Sequence, residues 1–357
     1  MSAGSPALTL DNRTATPAES EGDEALVRYI IRRCIWAAAL FIVVTMIGFV
    51  LFYLIPADPA KFACGRACDE AQVQKVAHYL GTDRPLYVQY GRFLGRLVPF
   101  SFSGGPHFKA PNLGHSFVNR QPVTSIVGAA APVTASLVFG GMILWMMIAL
   151  PIGILSAIRP RSLLDRFSMT GVLIGISAHP VWLGLIASYL IGYRLGWTPI
   201  AGYANFFHPL YAQPGGPVQW AYHLILPWIT FAILFAAVYV RMIRANVLET
   251  MNEDYVRTAR AKGAPEARVM RAHILRNALL PVVTMLGMDV GLALGGAVFT
   301  ESVYSLNGLG YQTIQSLNNY DSPTVLGILV FATTAIIVLN LVVDLLYAWI
   351  DPRIRLT

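Results

Sequence analysis

Apolar residues gather in six long blocks, and the charged residues collect at the ends of those blocks. A helix needs about 20 consecutive apolar residues to cross a hydrocarbon core. Cys34 to Ile55 meets that length, and Pro56-Ala57-Asp58-Pro59 stops it. Thr134 to Ala157, Phe167 to Tyr193 with Pro180 inside it, Leu224 to Tyr239, Val282 to Thr300 and Thr324 to Ile350 supply five more predicted spans. The helix of the fourth is expected to run on to about Met251. The pattern predicts an all-α integral membrane protein with six transmembrane helices.

Orientation follows from the arginines. Arg28, Arg32 and Arg33 precede the first span, Arg159 and Arg161 follow the second, and Arg353 and Arg355 follow the sixth. An excess of Lys and Arg in short loops marks the cytoplasmic side, so both termini are expected there. Residues 1–26 are polar and acidic, and their composition predicts a disordered cytoplasmic tail. Residues 27–59 hold the first span, 60–127 form a large extracytoplasmic region, 128–350 form the transmembrane core, and 351–357 form a short cytoplasmic tail. Phe102 to Asn112 is a Gly/Pro-rich loop. Gly196 to Tyr222 is an external loop whose Trp197, Phe206, Phe207, Tyr211 and Trp220 suit an interfacial belt or a partner contact.

Composition agrees. The chain has 357 residues, 55% of them hydrophobic and 13% charged, where a soluble domain carries about 25% charge. The net charge of +7 does not indicate nucleic acid, because the basic residues sit at span ends.

Enzymatic signatures are missing from the sequence. There is no G-x-x-x-x-G-K-[ST] phosphate loop and no H-E-x-x-H, and the histidines at 78, 107, 115, 179, 208, 223 and 273 are scattered. Cys64 and Cys68, in ACGRAC, face an oxidising compartment in this topology. A disulfide is the expected state there; a metal pair or two free thiols stay open.

Two features stand out. Asp289 lies inside the fifth span, in MLGMDVGLALGG. An ionisable residue at that depth is costly and faces a water-filled cavity or a hydrogen-bonding helix. A place on a translocation path is expected for Asp289, with Gly291 and Gly295, and the glycines at 287, 291, 295 and 296 permit close helix approach or a bend. Asp344 reads as structural, and Glu301 is expected to bond to the external loop. The second feature is the stretch from Asn252 to Pro281, which lies between apolar spans yet carries Arg257, Arg260, Lys262, Arg268, Arg271 and Arg276. Asn252 or Asp254 can cap a helix through about Lys262. Gly263 permits a left-handed cap and Pro265 suits the first turn of a second helix. The product is a short exposed cytoplasmic helix and a second one leading into the fifth span.

RTARAKG and HILR, within Arg257 to Arg276, resemble the cytoplasmic EAA loop of type I ABC importer permeases. The match to the general motif is limited to one Ala, the Gly and a Leu, but DYVRTARAKG and RNALLPV are the form typical of peptide/nickel importer permeases. Other segments resemble that family in order: Val27 to Ala60, LGTDRPLYVQY from Leu80, Leu113 to Ser116, Ala297 to Tyr311, and NLVVDLLYAWIDPRIR from Asn340. Ala57 and Leu306-Asn307 depart from its usual residues, and the acidic tail and Phe102 to Asn112 fall outside it.

The resemblance implies a type I importer permease fold, the first of two permease subunits of a dipeptide/oligopeptide importer in the cell membrane. The implied partners are a homologous second permease, two cytoplasmic ATP-binding subunits, an extracytoplasmic substrate-binding protein and lipid. ATP and Mg would sit on the partner ATPases, with no cofactor and no catalysis in this chain. Tyr255, Arg257, Thr258, Ala259, Lys262, Gly263 and Glu266 are the implied ATPase contacts. A nickel or metal-chelate importer shares these features. An ATPase-independent channel or secondary carrier is the alternative of another class.

Overall fold

The computed structural model describes residues 17–54, 69–80, 84–97, 100–101, 107–108, 111–207 and 215–350. Cys64, Cys68, Tyr211, the C-terminal tail and most of the loop from Phe102 to Asn112 lie outside the described residues, as does the side chain of Asp344.

The first helix, α1, spans Pro17–Leu54. It begins inside the stretch assigned above to a disordered tail. A proline at its start and acidic residues in its first turns suit a helix N-terminus, whose dipole favours negative charge. Two amphipathic helices follow, α2 (Glu70–Leu80) and α3 (Leu86–Leu97). A small hairpin then pairs β1 (Phe100–Ser101) with β2 (His107–Phe108). α3 lies against α1: the Tyr90 hydroxyl donates to the Ile42 carbonyl oxygen at 2.9 Å, and the Phe49 ring sits 5.5 Å from Tyr90 and 5.9 Å from Phe93.

The centre of the bundle is the pair α4 (Val123–Ile158) and α7 (Pro217–Met251). Small residues let the two backbones approach. A Cβ added at Gly140 would lie 2.2 Å from the Trp228 ring, and one at Gly153 would lie 2.9 Å from Ile243. Trp228 is fixed by its indole N–H, which donates to the Ser136 carbonyl oxygen at 2.9 Å. Trp145, fully buried, stacks on Phe235 with ring centres 4.6 Å apart and touches Phe231 and Tyr239.

The third predicted span is not one helix. It is α5 (Leu163–Ser177) followed by α6 (Pro180–Ala187), which continues as a π-turn over Ser188–Arg194. The two halves meet at 101°. The break has a local cause. Pro180 opens α6, the residue before a proline avoids the helical region, and the His179 ring accepts the Val181 N–H at 3.3 Å. The apolar run from Phe167 to Tyr193 reads through this corner, so hydrophobicity alone misses it.

After α7 the chain forms α8 (Asp254–Ala261), α9 (Glu266–Arg268), a π-turn over Val269–Leu275, α10 (Arg276–Ala278) and α11 (Leu280–Leu294). The segment Glu266–Ala278 meets α11 at 44°. The fifth predicted span, Val282 to Thr300, is shorter as a helix: α11 stops at Leu294, and a new helix, α12 (Val298–Val303), begins after Gly295, Gly296 and Ala297. Gly296 has φ +132°, which L side chains rarely adopt. α13 (Leu309–Asn318) and α14 (Ser322–Ile350) complete the chain. Four helices are long and apolar enough to cross a membrane, or six spans if each bent pair counts as one, among the described residues.

Large apolar side chains cover the outside. Trp36, Phe167, Leu173 and Trp182 are each at least 60% exposed. That many exposed apolar groups mark a surface whose solvent is lipid or another membrane subunit.

Two buried carboxylates tie the segments outside the long helices to the bundle. Glu301 on α12 accepts the Thr134 hydroxyl at 2.7 Å and the Tyr311 N–H at 2.9 Å, while Thr134 accepts the Leu309 N–H at 2.8 Å. Glu301 was expected to bond to the external loop; its partners are instead Thr134 in α4 and Tyr311 in α13, which the chain brings beside it. Asp321 accepts the Ser116 hydroxyl, the Phe117 N–H at 2.9 Å and the Thr324 hydroxyl at 2.7 Å. It thereby pins the segment before α4 to the start of α14.

Candidate functional site

The first candidate surface is the turn between α7 and α11. Asn252 and Asp254 do not cap α8 with their side chains; Glu253 holds the N-cap position, without a side-chain cap bond. The end of the helix forms as expected. Gly263 has φ +77°, its N–H donates to the Arg260 carbonyl oxygen at 2.9 Å, and the Ala264 N–H returns to the Ala259 carbonyl oxygen at 3.2 Å. Pro265 is the N-cap of α9 rather than its first residue.

α8 is anchored by one face. Val256 is fully buried and Ala259 packs on the core cluster that also holds Val269 and Ile274. Tyr255 accepts a hydrogen bond from the Asn277 side chain at 2.8 Å. Arg260 donates two bonds to Glu266, at 3.2 and 2.7 Å. These bonds to the Glu266 carboxylate, with its charge, hold the Arg260 guanidinium above its ordinary value, against a small opposing effect of burial. Tyr255 and Glu266, expected at a partner contact, therefore also brace the turn from within.

The other face of α8 is open. Arg257, Thr258, Ala261, Lys262 and Gly263 are exposed. Arg257 is 68% exposed and its nearest carboxylate, Asp254, is 3.5 Å away. The result is a two-turn basic helix on a packed base, joined to α7 through Asn252 and Glu253 and to α11 through α9, the π-turn and α10.

Two turns before the end of α7, Arg244 grips Asp165, with bonds of 2.7 and 3.0 Å. Asp165 also accepts the Arg161 N–H at 2.9 Å. This clasp was not foreseen. Its partners lie 79 positions apart, and the only local signal was an acidic residue at the start of an apolar run.

The second candidate surface is around Asp289. The Tyr239 hydroxyl donates to Asp289 Oδ2 at 2.7 Å. Asp289 opens onto a groove of about 390 Å³, lined by Pro180, Phe231, Phe235, Leu292, Phe299 and Thr300, among others. Gly291 and Gly295 are not part of its wall. Gly291 faces Ile336 and Gly295 faces Ala332, both on α14, and a Cβ at Gly287 would lie 2.1 Å from Val343. The glycines beside Asp289 thus make a close seam between α11 and α14. Gly296 is the glycine that reaches the groove.

Bundle and turn together describe a multi-pass membrane protein that presents a braced, basic helix beside its spans. Residues 149–356 match the family described as binding-protein-dependent transport system inner membrane component, and residues 26–138 match the N-terminal membrane component of such systems. The chain belongs to this family and is a permease subunit of a binding-protein-dependent transport system. It is 36% identical over 344 residues to the di/tripeptide transport system permease protein of Pseudomonas aeruginosa, covering 92% of this chain and 99% of that one. It is 37% identical over 340 residues to the "Probable D,D-dipeptide transport system permease protein" of Escherichia coli, covering 91% of this chain and 97% of the other.

Proposed function

We propose that this chain is one of two permease subunits of an ATP-driven importer of short peptides in the cell membrane. A homologous permease forms the other half of the path. Two cytoplasmic ATP-binding subunits, carrying ATP and Mg, drive it, and an extracytoplasmic binding protein delivers the substrate. Both termini lie in the cytoplasm, as does the turn from Asn252 to Pro281. The substrate class rests on relatives whose names specify peptides.

The observation that carries the coupling claim is the construction of α8. Its buried face and the Arg260–Glu266 and Tyr255–Asn277 bonds make it rigid. Its open face offers Arg257, Thr258, Lys262 and Gly263 to an ATPase, with Ala259 setting its depth on the core. A push on such a lever moves α7 and α11 together. ATP binding on the partner then biases the permease between inward- and outward-facing states. Asp289 on α11 lines the path that these states open in turn.

The test is reconstitution of the permease pair with ATPase and binding protein in liposomes. The expected result is uptake of a labelled dipeptide that requires ATP, the ATPase subunits and the binding protein together. Uptake by the permease pair alone would establish an ATPase-independent carrier instead. Competition by nickel but not by unlabelled dipeptide would assign a metal-chelate importer.

A further inference from the structure

Among the described residues Asp289 is the only ionisable one on the wall of its groove, which holds no histidine, cysteine or second carboxylate. Tyr239, fully buried on α7, donates to Oδ2. Oδ1 accepts no hydrogen bond and no cation lies within ion-pair distance, among the described residues. Apart from Thr300 the remaining wall is apolar and carries three phenylalanine rings, Phe231, Phe235 and Phe299. A carboxylate at this depth is costly when it faces hydrocarbon. Its single bond to a neutral phenol offsets only part of that.

We infer that Asp289, oriented by Tyr239, binds a primary ammonium group, and that the ligand is the charged amino end of a peptide in transit. The inference rests on the peptide-import reading for the identity of the ligand, but not for the ammonium site itself. One carboxylate matches one organic cation in charge. A divalent metal ion would need several more oxygen, nitrogen or sulfur ligands than this wall provides. A carboxylate end or a phosphate would be repelled. Aromatic rings on the wall offer an ammonium attraction without hydrogen bonds that would hold it. The groove volume of about 390 Å³ falls in the range of small-ligand clefts, about 300–1,000 Å³. An ion pair offset by few other polar contacts suits a substrate that must leave again.

The site is read directly by thiol protection. Leu292, on the groove wall and 67% exposed, is changed to cysteine in an assembled transporter whose natural cysteines are serine. Its labelling by a small methanethiosulfonate is followed with butylammonium or with butanol. Labelling is expected to slow about tenfold at ten times the Kd of butylammonium, and butanol to have little effect. Asp289→Asn abolishes the protection and Asp289→Glu restores most of it. Equal protection in the Asn variant, equal protection by butanol, or none in the parent would overturn the ammonium site. Uptake separates the two readings. A protein that shows Asp289-dependent protection but no dipeptide uptake keeps the site and loses the peptide reading. Uptake of dipeptide reduced about tenfold or more by Asp289→Asn, with normal ATP hydrolysis, supports both. Unchanged uptake in that variant removes the peptide's amino end as the ligand.

Discussion

Asp165 and Arg244 meet in a two-point clasp, with guanidinium nitrogens 2.7 and 3.0 Å from the carboxylate oxygens. The carboxylate is 7% exposed and the arginine 26%. One partner starts α5 and the other lies near the end of α7, so the clasp ties α5 to the helix that leads into α8. The same carboxylate holds Arg161 in a left-handed turn, φ +63°, through its N–H.

Arg244→Lys should keep the charge and lose the fork geometry. The expected cost is about 1–2 kcal/mol of stability, and Arg244→Met should cost about 2–3 kcal/mol by leaving Asp165 without its cation. Thermal unfolding in detergent measures both. Equal melting temperatures for parent and Met variant would show that the clasp does not hold α5 to α7.

Glu301 should resist its nearest isostere. Both of its oxygens accept, one from the Thr134 hydroxyl and one from the Tyr311 N–H. In Glu301→Gln an amide N–H₂ must face one of those donors, at a cost of about 1–3 kcal/mol. Thr134→Val removes a donor to Glu301 and an acceptor for the Leu309 N–H, so it should destabilise by a similar amount. Limited proteolysis between α12 and α13 reads the effect; unchanged cleavage rates in both variants would contradict the latch.

Gly140→Ala should separate the two central helices. The added methyl would lie 2.2 Å from a Trp228 ring that is itself tied to Ser136. Overpacking of this kind costs about 1–3 kcal/mol. The same change at Gly128, which has open space around it, should be close to neutral. Melting temperatures of the two variants make the comparison.

The sequence told more about elements than about their meetings. The helices α1, α4, α7 and α14 were legible because each carries an apolar run of spanning length. The left-handed turn at Gly263 was legible because a glycine and a proline fall together there between two helix-forming, charged stretches. The 101° corner at His179 was signalled by Pro180, but an apolar run of spanning length masked it. Asp289 was conspicuous, whereas Tyr239, 50 positions away, looks like any aromatic in a span. The glycines around Asp289 were read with the path. They pack against α14 because a helix with glycine every four residues offers a groove to its neighbour before it offers space to a substrate. Asp165 and Arg244 each look like a charge at a span end, and only the folded bundle brings them together.

The central claim is that α8 carries the work of an ATPase to the bundle, and Gly263 is the place to test it. Proline there removes the N–H that donates to Arg260 and fixes φ near −65°, where the turn holds +77°. Asparagine can adopt the left-handed conformation and has open space around it. In the reconstituted transporter, dipeptide uptake and ATP hydrolysis are measured together for the parent, Gly263→Asn and Gly263→Pro. The account predicts near-parent uptake for Asn, and for Pro at least a tenfold fall, of order 1.4 kcal/mol or more, in peptide moved per ATP hydrolysed, with normal membrane insertion. Parent-level uptake per ATP in Gly263→Pro would contradict it.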